Sequence, residues 1–384
     1  SARYQSTATT VPLGRYSHVC AQETTTIPTI GEMEGDFLVL NSQEYNGEKS
    51  LATIKPFNIV PTDNSSISVS GFYMNGCIDF NAEYNENTGS ISIPSGIPVF
   101  DMETYMVYLY PWDSEAGEEI LRPIEYKYIG NNTWECNTDL MLVAVQGEEK
   151  QTVTFSNGSR IVRCNGQSNN TSYVGSTGNQ DEYIESRPSY VAINGNTIDI
   201  YNILQADQYG YGVHLSGTIN KDVNEVMFRY TLTGHANDGT YRMLTGCEYD
   251  VETNMPTGMS YPETSNVGMI HATIDMEKGE IAFNPMAIWA AEYDTSTGNM
   301  SVNENLLYEF VKTVNVNYDI NNSDVSAIEM PNIADANKEV KQINYYAIDG
   351  SKLKTPQYGS LVIKMTIYND ESRKTEKVIF KGYE

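Results

Sequence analysis

Four histidines, His18, His214, His235 and His271, are the whole imidazole supply of this 384-residue chain, and no two of them stand at metal-binding spacing. H-E-x-x-H is absent, so a zincin-type centre has no basis. The chain also lacks a G-x-S-x-G elbow, a phosphate-cradling loop and a dinucleotide turn following a strand. Tyr209-Gly210-Tyr211-Gly212 is Gly-rich, yet no helix pattern follows it and a hairpin fits better. His214 alternates with Val213 and Leu215, which places it on the outward side of a strand. The five cysteines, Cys20, Cys77, Cys136, Cys164 and Cys247, contain no C-x-x-C pair, which argues against a zinc knuckle or a dense disulfide framework; how they pair is left open. Asp181-Glu182 with Glu185, Asp222 with Glu225, and Asn321-Asn322-Ser323-Asp324 are the oxygen clusters that calcium would require. None has the twelve-residue loop spacing, so no cofactor is expected. Carboxylates are so abundant that a glycosidase-like pair carries no weight without a cleft. The reading is therefore non-enzymatic, with a glycoside-active enzyme as a minor alternative.

Aromatic residues are the more informative chemistry. Trp112, Trp134 and Trp289, with 28 tyrosines, supply flat apolar faces on which sugar rings stack, while Asn and Asp supply partners for hydroxyls. Tyr110-Pro111-Trp112-Asp113 closes a strand pattern, and Tyr110, Trp112 and Asp113 are the candidate ligand surface.

The elements that must position these groups are strands. Period-two alternation recurs at Ser66 to Ser70, Ser90 to Ile93, Tyr105 to Tyr110, Thr152 to Phe155 and Thr313 to Tyr318. Gly/Asn/Asp clusters such as Asn87-Thr88-Gly89 and Asn194-Gly195-Asn196 bound them as turns. Amphipathic helix patterns are confined to short stretches at Glu304 to Val311 and Asp335 to Val340. The expected fold is all-β, with two β-sandwich or barrel-like domains and a small C-terminal Ig-like β module. Two echoes suggest internal duplication. Phe57-Asn58-Ile59-Val60 resembles Tyr201-Asn202-Ile203-Leu204, and the hairpin Glu83 to Ile93 resembles Glu292 to Val302, with Ala272 to Phe283 as a further relative. The expected boundaries are an N-terminal extension over 1–30, domains over 31–165 and 190–330, a polar linker over 166–189, and the terminal module over 338–384.

Charge narrows the partners. Fifty Asp+Glu against 24 Lys+Arg give a net −26, which repels phosphate backbones and disfavours nucleic acid. The longest apolar runs, Met141 to Val145 and Met286 to Ala291, are too short to span a membrane. No signal-peptide pattern is visible at Ser1, so an exported protein would be represented here by its processed chain. Residues 338–384 break the pattern, with a net positive balance on an otherwise strongly acidic chain.

That tail runs through Tyr346, Gly350, Lys352 and Leu353, then Gly359 and Ile363, and ends with Lys377 and Lys381. In this order it resembles the C-terminal sorting domain of type IX secretion cargo in Bacteroidota. Ser351 departs from the family pattern by standing where the basic residue directly follows Gly, and Ser360-Leu361 departs again after Gly359. The Asn- and Tyr-rich body resembles secreted Bacteroidales and Prevotella-type proteins. The resemblance implies an extracellular or cell-surface location and contact with secretion machinery through the tail. On this reading the body binds a glycan or another surface protein. A second reading, a surface-fibre subunit, rests on Ser1 to Ile30 as a strand donated to a neighbouring copy in self-assembly.

Overall fold

The computed structural model describes residues 26–384 apart from segments 46–47, 74–76, 177–178, 206–210, 230, 236–239, 251–254, 260–268, 285–287, 295–298, 302–307, 321–339, 347–351, 355–360, 369–372 and 380–384. Described elements are strands throughout, apart from one 3-10 turn over Ile30–Met33 and the 3-10 conformation of Ile320. The first ring is built from β1 (Gly35–Tyr45), β2 (Glu48–Pro61), β3 (Ser66–Ser70), β4 (Phe80–Tyr84) and β5 (Ile91–Ile93). Between them and the rest of the wall come β6 (Ile97–Asp101), β7 (Met106–Asp113) and β8 (Glu118–Glu119). The wall resumes with β9 (Ile124–Gly130) and β10 (Thr133–Cys136), leaves it again for β11 (Asp139–Gln146) and β12 (Glu149–Ser156), and ends at β13 (Ser159–Arg163). β13 pairs with β1, with Phe37 opposite Arg163 and Asn41 opposite Ser159, and this closes an eight-stranded antiparallel barrel. The excursions β6–β8 and β11–β12 pair through β7 and β11 into a separate accessory sheet of order β12-β11-β7-β6, with β8 on β7.

Barrel 1 is filled by aromatic side chains. Phe37, Phe57, Phe72, Phe80, Tyr84, Tyr126 and Trp134 are buried in one cluster with the aliphatic residues around them. Rings pack edge to face, Phe57 on Phe72 at 5.0 Å and Phe37 on Trp134 at 5.8 Å, the arrangement that the ring quadrupole favours. The accessory sheet turns Val107, Leu109, Leu140 and Leu142 into the same cluster. Residues 26–34 are tied to this barrel. Tyr84 and Tyr128 donate to the carbonyls of Pro28 and Thr26, and Met33 is buried in the core. The described end of the expected 1–30 extension therefore belongs to barrel 1, and residues 1–25 lie outside the described residues.

Barrel 2 repeats the plan strand for strand. Its wall takes β14 (Gly166–Ser176), β15 (Asn179–Asn194), β16 (Thr197–Gln205), β17 (Gly212–Asn220) and β18 (Glu225–Phe228). The first excursion is β19 (Thr231–His235), β20 (Thr240–Asp250) and β21 (Met255–Met259). Then come wall strands β22 (Ile270–Asp275) and β23 (Glu280–Phe283), a second excursion of β24 (Ile288–Asp294) and β25 (Asn299–Ser301), and the closing strand β26 (Tyr308–Tyr318). The ring closes through β14–β26, the excursions pair through β20–β24, and a β24–β26 ladder fuses the two. Adding thirteen to a strand's number in barrel 1 gives its counterpart, and every pairing of the first set recurs in the second.

Several sequence expectations change here. Residues 166–189, expected as a linker, are the first hairpin of barrel 2, paired from Gly166↔Ser189 to Ser176↔Asn179. Their polarity misled because Ser168, Asn170, Ser172, Arg187 and Ser189, polar residues of this hairpin, are buried. Tyr308 to Val311, within an expected helix, is strand, held by ladders to β14 and β24. The echo Phe57–Val60 lies in β2 but Tyr201–Leu204 lies in β16, whose counterpart is β3, so the echoes mark repeated hairpin grammar and not equivalent positions. A better sequence mark of the repeat is Trp112-Asp113 closing β7 against Tyr249-Asp250 closing β20.

The two barrels pack wall to wall. Leu38, Leu40, Ile54 and Val162 of barrel 1 are buried against Tyr190, Ala192 and Tyr201 of barrel 2. Only Cys164 and Asn165 separate β13 from β14, and both are pinned. Cys164 N–H donates to the Asp36 carbonyl, and Asn165 exchanges two 2.8 Å bonds with Val191. The tail forms β27 (Val340–Tyr346), β28 (Lys352–Leu353), β29 (Leu361–Tyr368) and β30 (Arg373–Ile379) in the order β28-β27-β29-β30. Where an Ig-like module was expected, its described residues form one four-stranded sheet.

Candidate functional site

Strand β7 alternates half-buried and buried side chains along its length. Val107, Leu109 and Pro111 point to the barrel core, so Tyr108, Tyr110 and Trp112 line the opposite, outward face. Tyr108 and Tyr110 lie 6.5 Å apart between ring centroids. The register partners of these rings on β11 are Val143, Met141 and Asp139, and Phe155 of β12 continues the row opposite Met141. Met141 and Val143 are buried, so the half-buried rings stand beside a strip of apolar side chains on the same sheet face. Gly96 makes this possible. Its φ of +72° suits the turn before β6, and a Cβ there would lie 2.8 Å from the Tyr110 ring.

Polar groups rim this ledge. Asp139, opposite Trp112, accepts hydrogen bonds from the Ser114 hydroxyl and from Asn157 Nδ2. Lys150 Nζ lies 2.6 Å from Glu119 Oε1 and joins β12 to β8 across the sheet. The hydrogen bond from Lys150 holds the Glu119 carboxyl below the usual carboxylate range, and the same bond raises Lys150. Asp113 plays a local part. Its Oδ1 accepts from Glu115 N and Ala116 N, both at 3.0 Å, and so shapes the turn that brings β8 back onto β7.

The structure brings Tyr110 and Trp112 together and adds Tyr108, which alternation alone would have found. Trp134 stands apart, fully buried with its indole N–H on the Gly89 carbonyl at 2.6 Å. Trp289 occupies β24, the counterpart of β11, in register with Thr245 and Phe310. Of the tail residues, Tyr346 lies in β27 opposite Lys352, Leu353 pairs with Tyr345, and Lys377 lies in β30 opposite Ile363. Gly350, Gly359 and Lys381 lie outside the described residues.

Two further groupings were not legible from spacing. His214, expected on an open strand surface, is stacked on Tyr201 at 4.2 Å and lies 3.0 Å from Asp199 Oδ1, to which Ser216 Oγ also donates. Nucleophilic catalysis needs a ring nitrogen free to take the serine proton. Here the one nitrogen facing Ser216 is engaged by the carboxylate, so the trio is a fastening at the rim of the barrel seam. The second grouping lies inside barrel 2. Glu185, from one of the acidic clusters weighed for calcium, pairs with buried Arg187. Arg187 Nε and Nη2 both donate to Asn202 Oδ1, at 3.1 and 2.6 Å. Among the described residues no group of three or more His, Cys, Asp or Glu is placed to hold a metal ion.

Comparison of the chain with protein-family models, curated proteins and solved structures finds no match in any of the three.

Proposed function

We propose that this chain is a non-catalytic binding protein of the cell exterior, and that the ledge of Tyr108, Tyr110 and Trp112 takes an uncharged glycan chain. The observation that carries this reading is three aromatic side chains at alternate positions on one outward strand face, beside buried Met141 and Val143 and flanked by carboxylates. Aromatic faces accept the apolar side of a sugar ring, and the rim carboxylates accept hydrogen bonds from its hydroxyls. A net charge of −26 disfavours anionic polysaccharides, so the partner is neutral. The tail's resemblance to a sorting domain supports export and surface attachment as the setting. Affinity electrophoresis through gels containing neutral glucans, mannans or xylans tests the proposal. At least one polysaccharide should retard the protein, and Tyr110→Ala or Trp112→Ala should weaken that retention about 30-fold, equivalent to ~2 kcal/mol, with Tm unchanged. Retention that both variants keep, or no retention by any of these gels, would sink the reading.

A further inference from the structure

The inner wall of barrel 2 differs from its counterpart in barrel 1. Both rings have eight strands and the same connectivity, which gives them similar interior widths. Counting from the first ladder pair of each opening hairpin, Ser168 stands where barrel 1 has Phe37, Arg187 where it has Phe57, and Ser189 where it has Ile59. Around them the described core of barrel 2 is mostly aliphatic, with Phe228, Phe283 and Tyr318 as its buried rings. At these described positions the inner wall of barrel 2 carries smaller side chains than barrel 1, and an eight-stranded barrel is the size that holds one small ligand.

The polar groups of this wall account for nearly all of their own bonds. Ser168 Oγ donates to the Ile203 carbonyl at 2.8 Å, and Ser189 Oγ donates to the Asn202 carbonyl at 3.2 Å. Both carbonyls are freed by the irregular register that follows Tyr201 in β16, where Asn202 adopts φ +67°. Asn170 Nδ2 also reaches the Ile203 carbonyl, at 3.4 Å. Two atoms remain. Asn170 Oδ1 and Ser172 Oγ, on residues 2% and 0% exposed, have no hydrogen-bond partner. Leaving a buried polar atom unpaired costs about 1–3 kcal/mol, so such atoms ordinarily meet a ligand or ordered water.

We propose that barrel 2 encloses a small neutral amphipathic molecule, a hydroxyl- or amide-bearing ligand with a short hydrocarbon body, bound to Asn170 and Ser172 of β14. The chemistry follows from the wall. Asn170 Oδ1 accepts only, so the ligand presents an O–H or N–H to it. Ser172 Oγ, two residues along the same face, donates to or accepts from a second polar atom. Arg187 is already opposed by Glu185 at its guanidinium, so the wall offers no net charge to an ion. Val314 and Val311, the register partners of Asn170 and Ser172 on β26, are buried in the same core and meet the hydrocarbon part.

Saturation-transfer NMR on the full chain with cyclohexanol and hexane-1,2-diol as probes tests this. Both probes should give transfer signals that fall at least tenfold in the Asn170→Leu/Ser172→Ala double variant and persist in Trp112→Ala. The double variant should melt no lower than the parent, because it removes two unpaired polar atoms at the loss of one long hydrogen bond, and Ser168 still donates to the Ile203 carbonyl. Ser172→Ala alone, a smaller change, should cut the signal several-fold, and it serves as the test if the double variant does not fold. Absence of signal in the parent, or equal signal in parent and Ser172→Ala, would overturn the proposal and leave ordered water as the occupant.

Discussion

Single side chains in this protein divide by whether they fill or present. Trp134 fills: fully buried, hydrogen-bonded to Gly89 and packed on Phe37, it should cost about 3–5 kcal/mol when cut to alanine, read by denaturant unfolding. Burial also sets thiol chemistry. It pushes Cys136 up to about 11 and Cys164 well above the ordinary thiol value. At pH 8 the Cys136 thiolate is then about one part in a thousand, and thiolate is the reactive form. Site-resolved mass spectrometry after iodoacetamide should find Cys136 and Cys164 unmodified in the native protein and modified in denaturant. Gly96 presents, because Gly96→Ala would strain a positive φ and push a methyl group into the Tyr110 ring. Glycan retention should fall with it while the core-facing side of β7 stays in place. Trp112 and Tyr110 were legible as a strand-end pair because alternation fixes their face. His214 was not, since its contacts with Asp199 and Tyr201 depend on the β16–β17 register and that register is set by the barrel.

At the scale of elements, strand periodicity was readable wherever one face is apolar. β3, β4 and β7 show it directly in their burial patterns. It failed at β14, where Ser168, Asn170 and Ser172 turn inward and the buried face is polar. Polarity there reads as a linker, although the ladder is continuous. The clasp between β8 and β12 yields a pH prediction. Glu119, lowered by its bond from Lys150, contributes stability that is complete above pH 4.5 and is lost as pH falls through its lowered folded value. Lys150, raised by the same bond, contributes below pH 10.5 and loses its share as pH rises through its raised folded value. Hydrogen exchange at Glu119 should therefore stay level across neutral pH, once corrected for intrinsic rates, and speed up toward both extremes. In Lys150→Met it should be uniformly fast over the same range. Equal profiles for parent and variant would show that the clasp contributes nothing to holding β8.

For the whole molecule, all-β character was plain from composition and turns. Ring closure was not, because β1–β13 and β14–β26 join residues more than a hundred positions apart and no local pattern announces such pairs. The shared seam of Leu38, Leu40, Ile54, Val162, Tyr190, Ala192 and Tyr201 makes the barrels thermodynamic partners. Calorimetry should show them unfolding in one transition, and Leu40→Asp, which places a charge in the seam, should split it into two. A single unsplit transition in that variant would mean the seam does not couple them. The two-residue joint between β13 and β14 carries a further consequence, one of timing. Barrel 1 can close once Arg163 has been made, but its seam patch has no cover until Tyr190, Ala192 and Tyr201 follow. At about 5–20 residues per second that gap lasts roughly two to eight seconds, during which a finished barrel shows a bare apolar wall to its surroundings. The short joint keeps the rest of the seam close at hand, so the cover for that wall comes from the same chain before a neighbour can supply it.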